Sequence, residues 1–536
     1  MSDTGLESAA PNAALAEIDF QIIWSRLIAV VEEQAQALRR TAFSPIVRES
    51  GDLSAGYFDS AGRMVAQAVT GTPGHVNTMA ASVLHFLERF PPRSAKPGDV
   101  LVTNDPWLGT GHLHDFVVVT PAFHKNRLVG YFASTCHFMD VGGIGFGPDG
   151  RDVFEEGFYV PPMHLARAGE IDRTLIALAR ANSRYPAEAE GDLMSLTACN
   201  DIGVRRLSEM MSEFHLEGLD HIGEIIIARS RAAALEKIAA LPHGRFTNSM
   251  TTDGYEGPVK LVAALTVSAE GLDVDFAGTA GISARGINVP LAYAQAYTAF
   301  GLACAIFPHV PNNTGTLSVM RIHAPAGSIL NAQRPSPVSS RHVIGQMLPD
   351  VVFGCLAKIV PDRVMSEGAS SLWNLILEDG HDACLMQGIT STQRFSALSV
   401  QTGGTGARPT LDGLSATAFP SGVAGVPVEV IETITPLIFW RKELREGSGG
   451  RGEHTGGLGQ VIEIGHRDGH PFYLFAALDR IENPARGRFG GEDGAPGAVR
   501  LADGRKLKGK GKQLVPSNGR LVVETPGGGG YGSVKD

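Results

Sequence analysis

Cysteine is scarce in this chain: five in 536 residues, at Cys136, Cys199, Cys304, Cys355 and Cys384. None of them forms a CxxC pair, so a zinc ribbon or a dithiol redox site is excluded, and a sparse odd set points to reduced thiols. Charge is low too, at 19% of residues, and its balance is −10. A nucleic-acid binder would need a basic face, and none is implied. The only long apolar run, 291–307, is short for a membrane span and carries Tyr293, Gln295 and Tyr297. It reads as a buried helix. The first residues lack a basic region followed by an apolar core, so no signal peptide is expected there. These features together predict a cytoplasmic protein.

Nucleotide signatures are missing as well. The stretch Gly504–Lys510 follows a P-loop for seven positions, then places Gly511 where Ser or Thr should hold Mg²⁺. It reads as a solvated basic turn. There is no GxSxG elbow for a serine nucleophile.

Glycine, in contrast, is abundant: 65 residues, about one in eight. With no repeating period it signals many turns and close backbone approaches. At this length two to four domains are expected. The fold class predicted is α+β, a multidomain mixed α/β protein. It has antiparallel hairpins around a metal site, a helical layer and a β-rich C-terminal part. The boundaries proposed are 1–241 for the metal-site and helical region, 242–420 for a central α/β region, and 421–536 for the Gly-rich β region.

The chain starts with a helix over 20–40, its apolar residues at helical spacing. Strand-like alternation follows over 49–59, with a return strand over 63–69. Gly74–Met79 opens a second helix running to about Phe90. Residues 172–241 read as helices, and 244–277 as strands and turns. A turn is expected at 311–315 and a helix over 343–360. Beyond about Pro420, short β-type runs begin with 428–440, where Pro436 implies an edge strand or a bulge.

The densest chemistry lies between Asn104 and Gly143. His112, His114, Asp115, His124, His137 and Asp140 fall within forty residues. Two runs rich in Val, Phe, Tyr and Thr, 116–120 and 128–135, read as strands. The polar piece 124–127 between them reads as a turn. A hairpin centred near Asn126 pairs residues whose numbers sum to about 252. Asp115 then faces His137, with Cβ atoms about 4.5–5.5 Å apart. His112 lies three residues before Asp115, and two imidazoles with a carboxylate suit Zn²⁺, Mn²⁺ or Fe²⁺. A register one residue off would instead set Cys136 opposite Asp115. The bland alternative is a set of polar strand ends. Asp52 and His75, further upstream, are possible additional site residues, and the Gly-rich loop 141–150 reads as a flexible cover.

Ordered motifs then carry a resemblance. They are LRRTAFS at 38–44, DLS at 52–54, NDPWLG at 104–109, HLHD at 112–115 and HFMDVGG at 137–143. Further on come EG at 156–157, DFAGT at 275–279, NVP at 288–290, PNNTG at 311–315 and APAGS at 324–328. The series ends with GGRG at 449–452 and PGGGGYG at 526–532. On these, running over nearly the whole chain, the sequence resembles the hydantoinase B / 5-oxoprolinase family. The resemblance implies a divalent metal, Zn²⁺ first and Mn²⁺ second, held by His112, Asp115, His137 and Asp52. His114, Asp140, His75 and Glu156 become supporting or acid/base candidates. The family motif has Pro where this chain has His114, which leaves room for an altered surrounding or an added acid/base.

The resemblance also implies a partner, an A-type subunit that binds ATP, in an α2β2 heterotetramer. It further implies ATP-dependent hydrolysis of a cyclic amide, by attack of metal-bound water on an amide that the partner has phosphorylated. The alternative it implies is a subunit of an ATP-dependent ketone carboxylase. A third possibility is a scaffold without chemistry of its own.

Overall fold

In the computed structural model, which describes residues 9–388 and 394–534, a long helix α1 (Ala9–Thr41) leads into a short α2 (Pro45–Arg48). Leu27, Val31, Ala35 and Leu38 are buried on one stripe of α1, the helical spacing read from the sequence.

The first sheet has seven antiparallel strands. They are β1 (Leu53–Phe58), β2 (Met64–Gln67), β3 (Val100–Thr103), β4 (Asp115–His124), β5 (Arg127–His137), β6 (Met163–Arg167) and β7 (Glu170–Ile171). Their order is β2-β1-β5-β4-β3-β6-β7. Strands β4 and β5 are its centre and are buried on both faces. Phe116, Val118 and Cys136 point into a core shared with α1 and with α5 (Pro186–Glu213). Val117, Val119 and Ala133 point the other way, onto α3 (Pro73–Arg89). Helices α4 (Arg173–Ala181) and α6 (Asp220–Ala239) complete the helical layer.

The β4–β5 hairpin turns on Lys125 and Asn126, with φ of 48° and 65°. Positive φ at both central residues is the I′ geometry that matches strand twist. The turn pairs His124 with Arg127, and a bulge between Ala122 and Phe123 then shifts the register by one residue, giving the expected pairs Asp115↔His137 and Val117↔Thr135. Both strands run past the apolar runs that announced them, because the polar ends stay paired.

A second sheet contains β8 (Gly244–Thr252), β9 (Val259–Ser268), β10 (Gly271–Asp275) and β11 (Met320–His323), in the order β11-β10-β9-β8. It packs with α7 (Leu291–Ile306) and α10 (Leu348–Leu356) around one core. No helix among the described residues is long and apolar enough to cross a membrane. Two further four-stranded sheets share a core of their own. One is β13-β12-β16-β18: β12 (Trp373–Asp379), β13 (Ser396–Gln401), β16 (Phe472–Ala477) and β18 (Lys510–Val515). The other is β14-β15-β19-β17: β14 (Leu437–Leu444), β15 (Gln460–His466), β17 (Ala498–Leu501) and β19 (Arg520–Glu524). Residues on both sides of Pro420 therefore build one sheet.

Four local expectations are corrected. The turn at 311–315 is followed by a short helix α8 (Thr314–Leu317), capped by Asn313, whose Oδ1 accepts from Gly315 N at 2.8 Å. The helix expected over 343–360 is split into α9 (His342–Gly345) and α10, with Pro349 in the first turn of the second. The β-run at 428–440 is a helix, Val428–Ile434, and then β14. Pro427 and Pro436 bracket the helix, and β14 is an edge strand with a bulge beside Trp440. Finally, Lys510 is buried rather than solvated, its Nζ 3.0 Å from Asp479 Oδ1.

The glycines have a clear use. Extended segments around 404, 413, 450, 457, 491 and 528 run side by side and bond through their backbones. Gly528 N donates to Gly457 O at 3.0 Å, and Gly450 N donates to Gly528 O at 2.9 Å. A Cβ on Gly528 would sit 1.8 Å from the carbonyl oxygen of Thr405. Gly528→Ala is therefore expected to cost about 3 kcal/mol or more, the upper end for overpacking. A urea unfolding curve checks this, and an unchanged midpoint would show that the segments can part cheaply.

Candidate metal centre

Hairpin register brings the first two candidate ligating groups together. Asp115 opens β4 and His137 closes β5, directly opposite one another. His112 enters from the preceding loop, where Gly111 (φ +101°) lets the backbone pass close to the Arg341 side chain. His112 Nε2 lies 2.7 Å from Asp115 Oδ1, and His137 Nδ1 lies 3.2 Å from that same oxygen. One atom from each of the three falls within 4.8 Å of the others.

The rest of the arrangement holds these atoms in place. Asp115 Oδ2 accepts from Thr110 Oγ1 at 2.7 Å and from Arg341 Nη2 at 2.6 Å, and lies 2.9 Å from His75 Nε2. Oδ1 is left to face the two imidazoles. His112 Nδ1 lies 2.9 Å from the carbonyl oxygen of Ser339, which can only accept. The proton is thus on Nδ1, and Nε2 presents its lone pair. Nε2 of His112 is buried and unaligned for any hydrogen bond, although it nearly touches Asp115.

Electrostatics favour the same state. Burial, helped by the Arg341 guanidinium, pushes the His112 imidazole down to about 3, so it is neutral at any ordinary pH. Burial alone would raise Asp115, but His112, His75 and Arg341 hold its carboxyl well below the usual range. A neutral His112 imidazole beside an ionised carboxylate, with a second imidazole opposite, is a donor set that Zn²⁺ or Mn²⁺ takes. The residues present therefore fit a divalent cation. Holding them poised requires burying two charges, Asp115 and Arg341, which offset one another.

A cavity of about 30 Å³ opens beside the three candidate ligating groups, room for an ion or a water. Phe146 closes one side. Its ring centroid lies 5.8 Å from His112, 4.7 Å from His114 and 5.0 Å from His137. The Gly-rich loop 141–150 is thus packed onto the histidines by its aromatic residue, where a flexible cover was expected.

Each proposed site residue has a definite place. Asp52 lines the cavity, with Oδ1 3.7 Å from His75 Nδ1, so His75 spans the two aspartates. Burial pulls the His75 imidazole down, yet Asp115 and Asp52 leave it raised overall. His114 does not line the cavity. It is buried, stacks on His137 at 5.5 Å, and neither ring nitrogen has a hydrogen-bond partner. Asp140 is turned away, accepting from Gly142 N at 3.1 Å and Arg184 Nε at 3.0 Å, and so anchors the start of the 141–150 loop.

Glu156 acts through the backbone. Its Oε1 accepts from Val338 N at 2.7 Å and Ser339 N at 2.8 Å, fixing the carbonyl that orients His112. Burial pushes the Glu156 carboxyl up to about 8. A raised carboxyl gives stability that is complete below the ordinary carboxylate range and lost as pH rises through about 8. Glu156→Gln keeps the acceptor without the charge. It is expected to melt with wild type near pH 4 and a few degrees above it at pH 9. Glu156→Ala, which strands two buried N–H groups, should lose about 1–3 kcal/mol. Thermal scans at the two pH values decide between these outcomes.

Sequence reading missed Arg341, His342, Tyr293, Tyr297 and Asn374, all of which line the cavity. Arg341 also stacks over Tyr293, 4.2 Å from the ring centroid. The one available signal was the Arg341-His342 pair set directly before the apolar Val343 and Ile344.

Comparison with known proteins gives consistent matches. A family model described as hydantoinase B/oxoprolinase matches residues 16–534. An uncharacterised protein of Methanocaldococcus jannaschii is 30% identical, over 96% of this chain and 91% of its own. A protein of Pseudomonas sp. (strain NS671), assigned as the B-type chain of a D-/L-hydantoinase, is 26% identical, over 96% of this chain and 90% of its own. 5-oxoprolinase 1 of Arabidopsis thaliana is 28% identical over 98% of this chain, which spans only 43% of that protein's length. Among solved structures, an ATP-dependent caprolactamase from Pseudomonas jessenii has a TM-score of 0.86 at 22% identity, covering 96% of this chain and 91% of its own. A nucleotide-free acetone carboxylase has a TM-score of 0.83 at 18% identity, covering 96% and 76%. At those identities the two structures speak to the fold alone.

Proposed function

Because the chain belongs to the hydantoinase B/oxoprolinase family, we propose that it is the metal-holding subunit of an ATP-dependent hydrolase of cyclic amides. The observation that carries this reading is the convergence of His112 Nε2 and His137 Nδ1 on one oxygen of Asp115 inside a buried cavity. A divalent cation bound there supplies Lewis acidity and a water acidified to a pKa near ~7.

The chain's own residues do the rest. Asp115, His112 and His137 hold the cation, and Arg341 with Thr110 keeps Asp115 from turning. His75 is the acid/base group. Its Nε2 faces Asp115 Oδ2, while its Nδ1 is unpartnered and turned to Asp52 on the cavity wall. It takes the proton of the attacking water and returns it to the departing nitrogen. Phe146 and the apolar residues Leu398, Val400 and Val423 exclude bulk water.

An unstrained amide is a poor electrophile, and the sequence carries no nucleotide signature. ATP therefore acts on an A-type partner, and we infer an α2β2 assembly in the cytoplasm. That this chain matches less than half of the Arabidopsis 5-oxoprolinase supports a second part that joins it there within one polypeptide. The test is co-purification with that partner, then ATP hydrolysis screened over hydantoins, 5-oxoproline, larger lactams and ketones. Phosphate release with a cyclic amide and none with a ketone supports the reading.

A second reading, a subunit of an ATP-dependent ketone carboxylase, is the alternative that the family resemblance implies, and the fold shared with an acetone carboxylase is compatible with it. It requires ATP turnover that depends on bicarbonate and a ketone, which the same screen measures.

A further inference from the structure

Behind the histidine cavity lies a larger one of about 420 Å³, against about 30 Å³ at the three ligating residues. Its size is that of a small-molecule pocket. The two adjoin. Thr72 lines both, and Gly422 lines the larger while its neighbour Val423 lines the smaller. Thr72 Oγ1 lies 3.4 Å from the hydroxyl of Tyr297, which also faces the smaller cavity.

The walls of the larger pocket are apolar. Val76 comes from α3, Ala299, Phe300, Ala303 and Phe307 from α7 and its end, and Phe419 from the segment before Gly422. None of the described residues lining it carries a charge. Part of its amide surface is engaged with protein: Asn312 Nδ2 donates to Asn77 Oδ1 at 2.8 Å and to Gln67 Oε1 at 2.7 Å, and Asn77 Nδ2 donates to Ala296 O at 3.2 Å.

A ring does not fit in about 30 Å³. A substrate whose reacting carbonyl reaches the ligating residues must place its bulk next door, and past Thr72 that space is apolar and uncharged. We propose that this pocket receives an apolar substituent of the cyclic amide, an aryl or branched alkyl group, and rejects a carboxylate at that position. The assignment rests on the cyclic-amide reading above and adds the substrate class to it. Ala303 is the residue that gauges the pocket: it is half-buried, small and on the wall.

Calorimetry on the full-length chain, without ATP, tests the pocket separately from the chemistry. The probes are hydantoin, 5-benzylhydantoin and 5-(carboxymethyl)hydantoin. The benzyl compound is expected to bind at least tenfold tighter than the other two. Ala303→Trp should reduce that preference to within twofold and leave hydantoin itself unchanged. Ala303→Leu, a smaller insult to the fold, should reduce it in part. Equal affinity for all three, no binding of the benzyl compound, or a preference untouched by both variants overturns the assignment. If the preference holds but the complex with ATP opens none of the three rings, the pocket stands and the cyclic-amide reading fails. If rings open with no benzyl preference, the reverse is true.

Discussion

His137→Ala empties the centre: elemental analysis of the purified variant is expected to find well under one divalent metal per chain, where wild type carries about one. The physical reason is that the neighbouring imidazoles are committed elsewhere, His75 Nε2 lying 2.9 Å from Asp115 Oδ2 and His342 Nε2 3.4 Å from Asn374 Nδ2. His114 stacks on His137 with a 12° interplanar angle and does not line the cavity, and Asp115 Oδ2 is already held by Arg341 and Thr110. ATP-dependent turnover should fall further than the roughly 100-fold typical of losing an outer partner of a ligand. Folding should survive, because His137 ends a strand whose interior residues carry the packing. A melting curve within a few degrees of wild type, together with absent metal, is the expected pair of results. Full metal occupancy in this variant would remove His137 from the centre.

Arg480→Met is expected to have the largest effect on stability. Arg480 is 1% exposed, with Nη1 3.1 Å from Glu367 Oε2 and Nη2 3.2 Å from Asp350 Oδ2. It follows β16, whereas Asp350 lies in α10, so the cation ties the C-terminal sheets to the central unit. Removing it leaves Asp350 buried without its cation, while Glu367 keeps Arg486, and breaking a buried pair in this way costs about 3–5 kcal/mol. The deficit should depend on pH. Burial, set against Arg480, already raises Asp350 to about 6 from an ordinary 3.8. Stability linked to it is complete below the ordinary value and lost as pH rises through about 6. Without Arg480 that loss deepens, so the variant should melt further below wild type at pH 8 than at pH 5. Equal deficits at the two pH values would show that lost packing dominates, not lost charge.

The hairpin itself was legible in the sequence because two β-type runs flank a short polar turn. Counting from the turn alone leads to Asp115 opposite Cys136, and the bulge between Ala122 and Phe123 is what sets Asp115 against His137. The α1 stripe was legible through a local period with one buried face. What faces the hairpin was not. Arg341 reaches Asp115 from 226 residues away, and no spacing rule links two such positions. The 428–440 stretch misled because its β-branched residues favour strands, whereas the flanking prolines decided where a helix could start and stop. Asp140 stood near the ligands in sequence, yet its carboxylate is taken up by Arg184. The role of Glu156 was invisible because it works through backbone N–H groups at 338 and 339.

Ring opening and phosphate release, followed in one reaction of the chain with its A-type partner, a cyclic amide and ATP, bear most directly on the division of labour between the two proteins. Equal molar rates of the two products are expected, both vanishing when either protein is left out and both lost with His137→Ala. Ring opening by the partner alone, or by this chain alone without ATP, would contradict it.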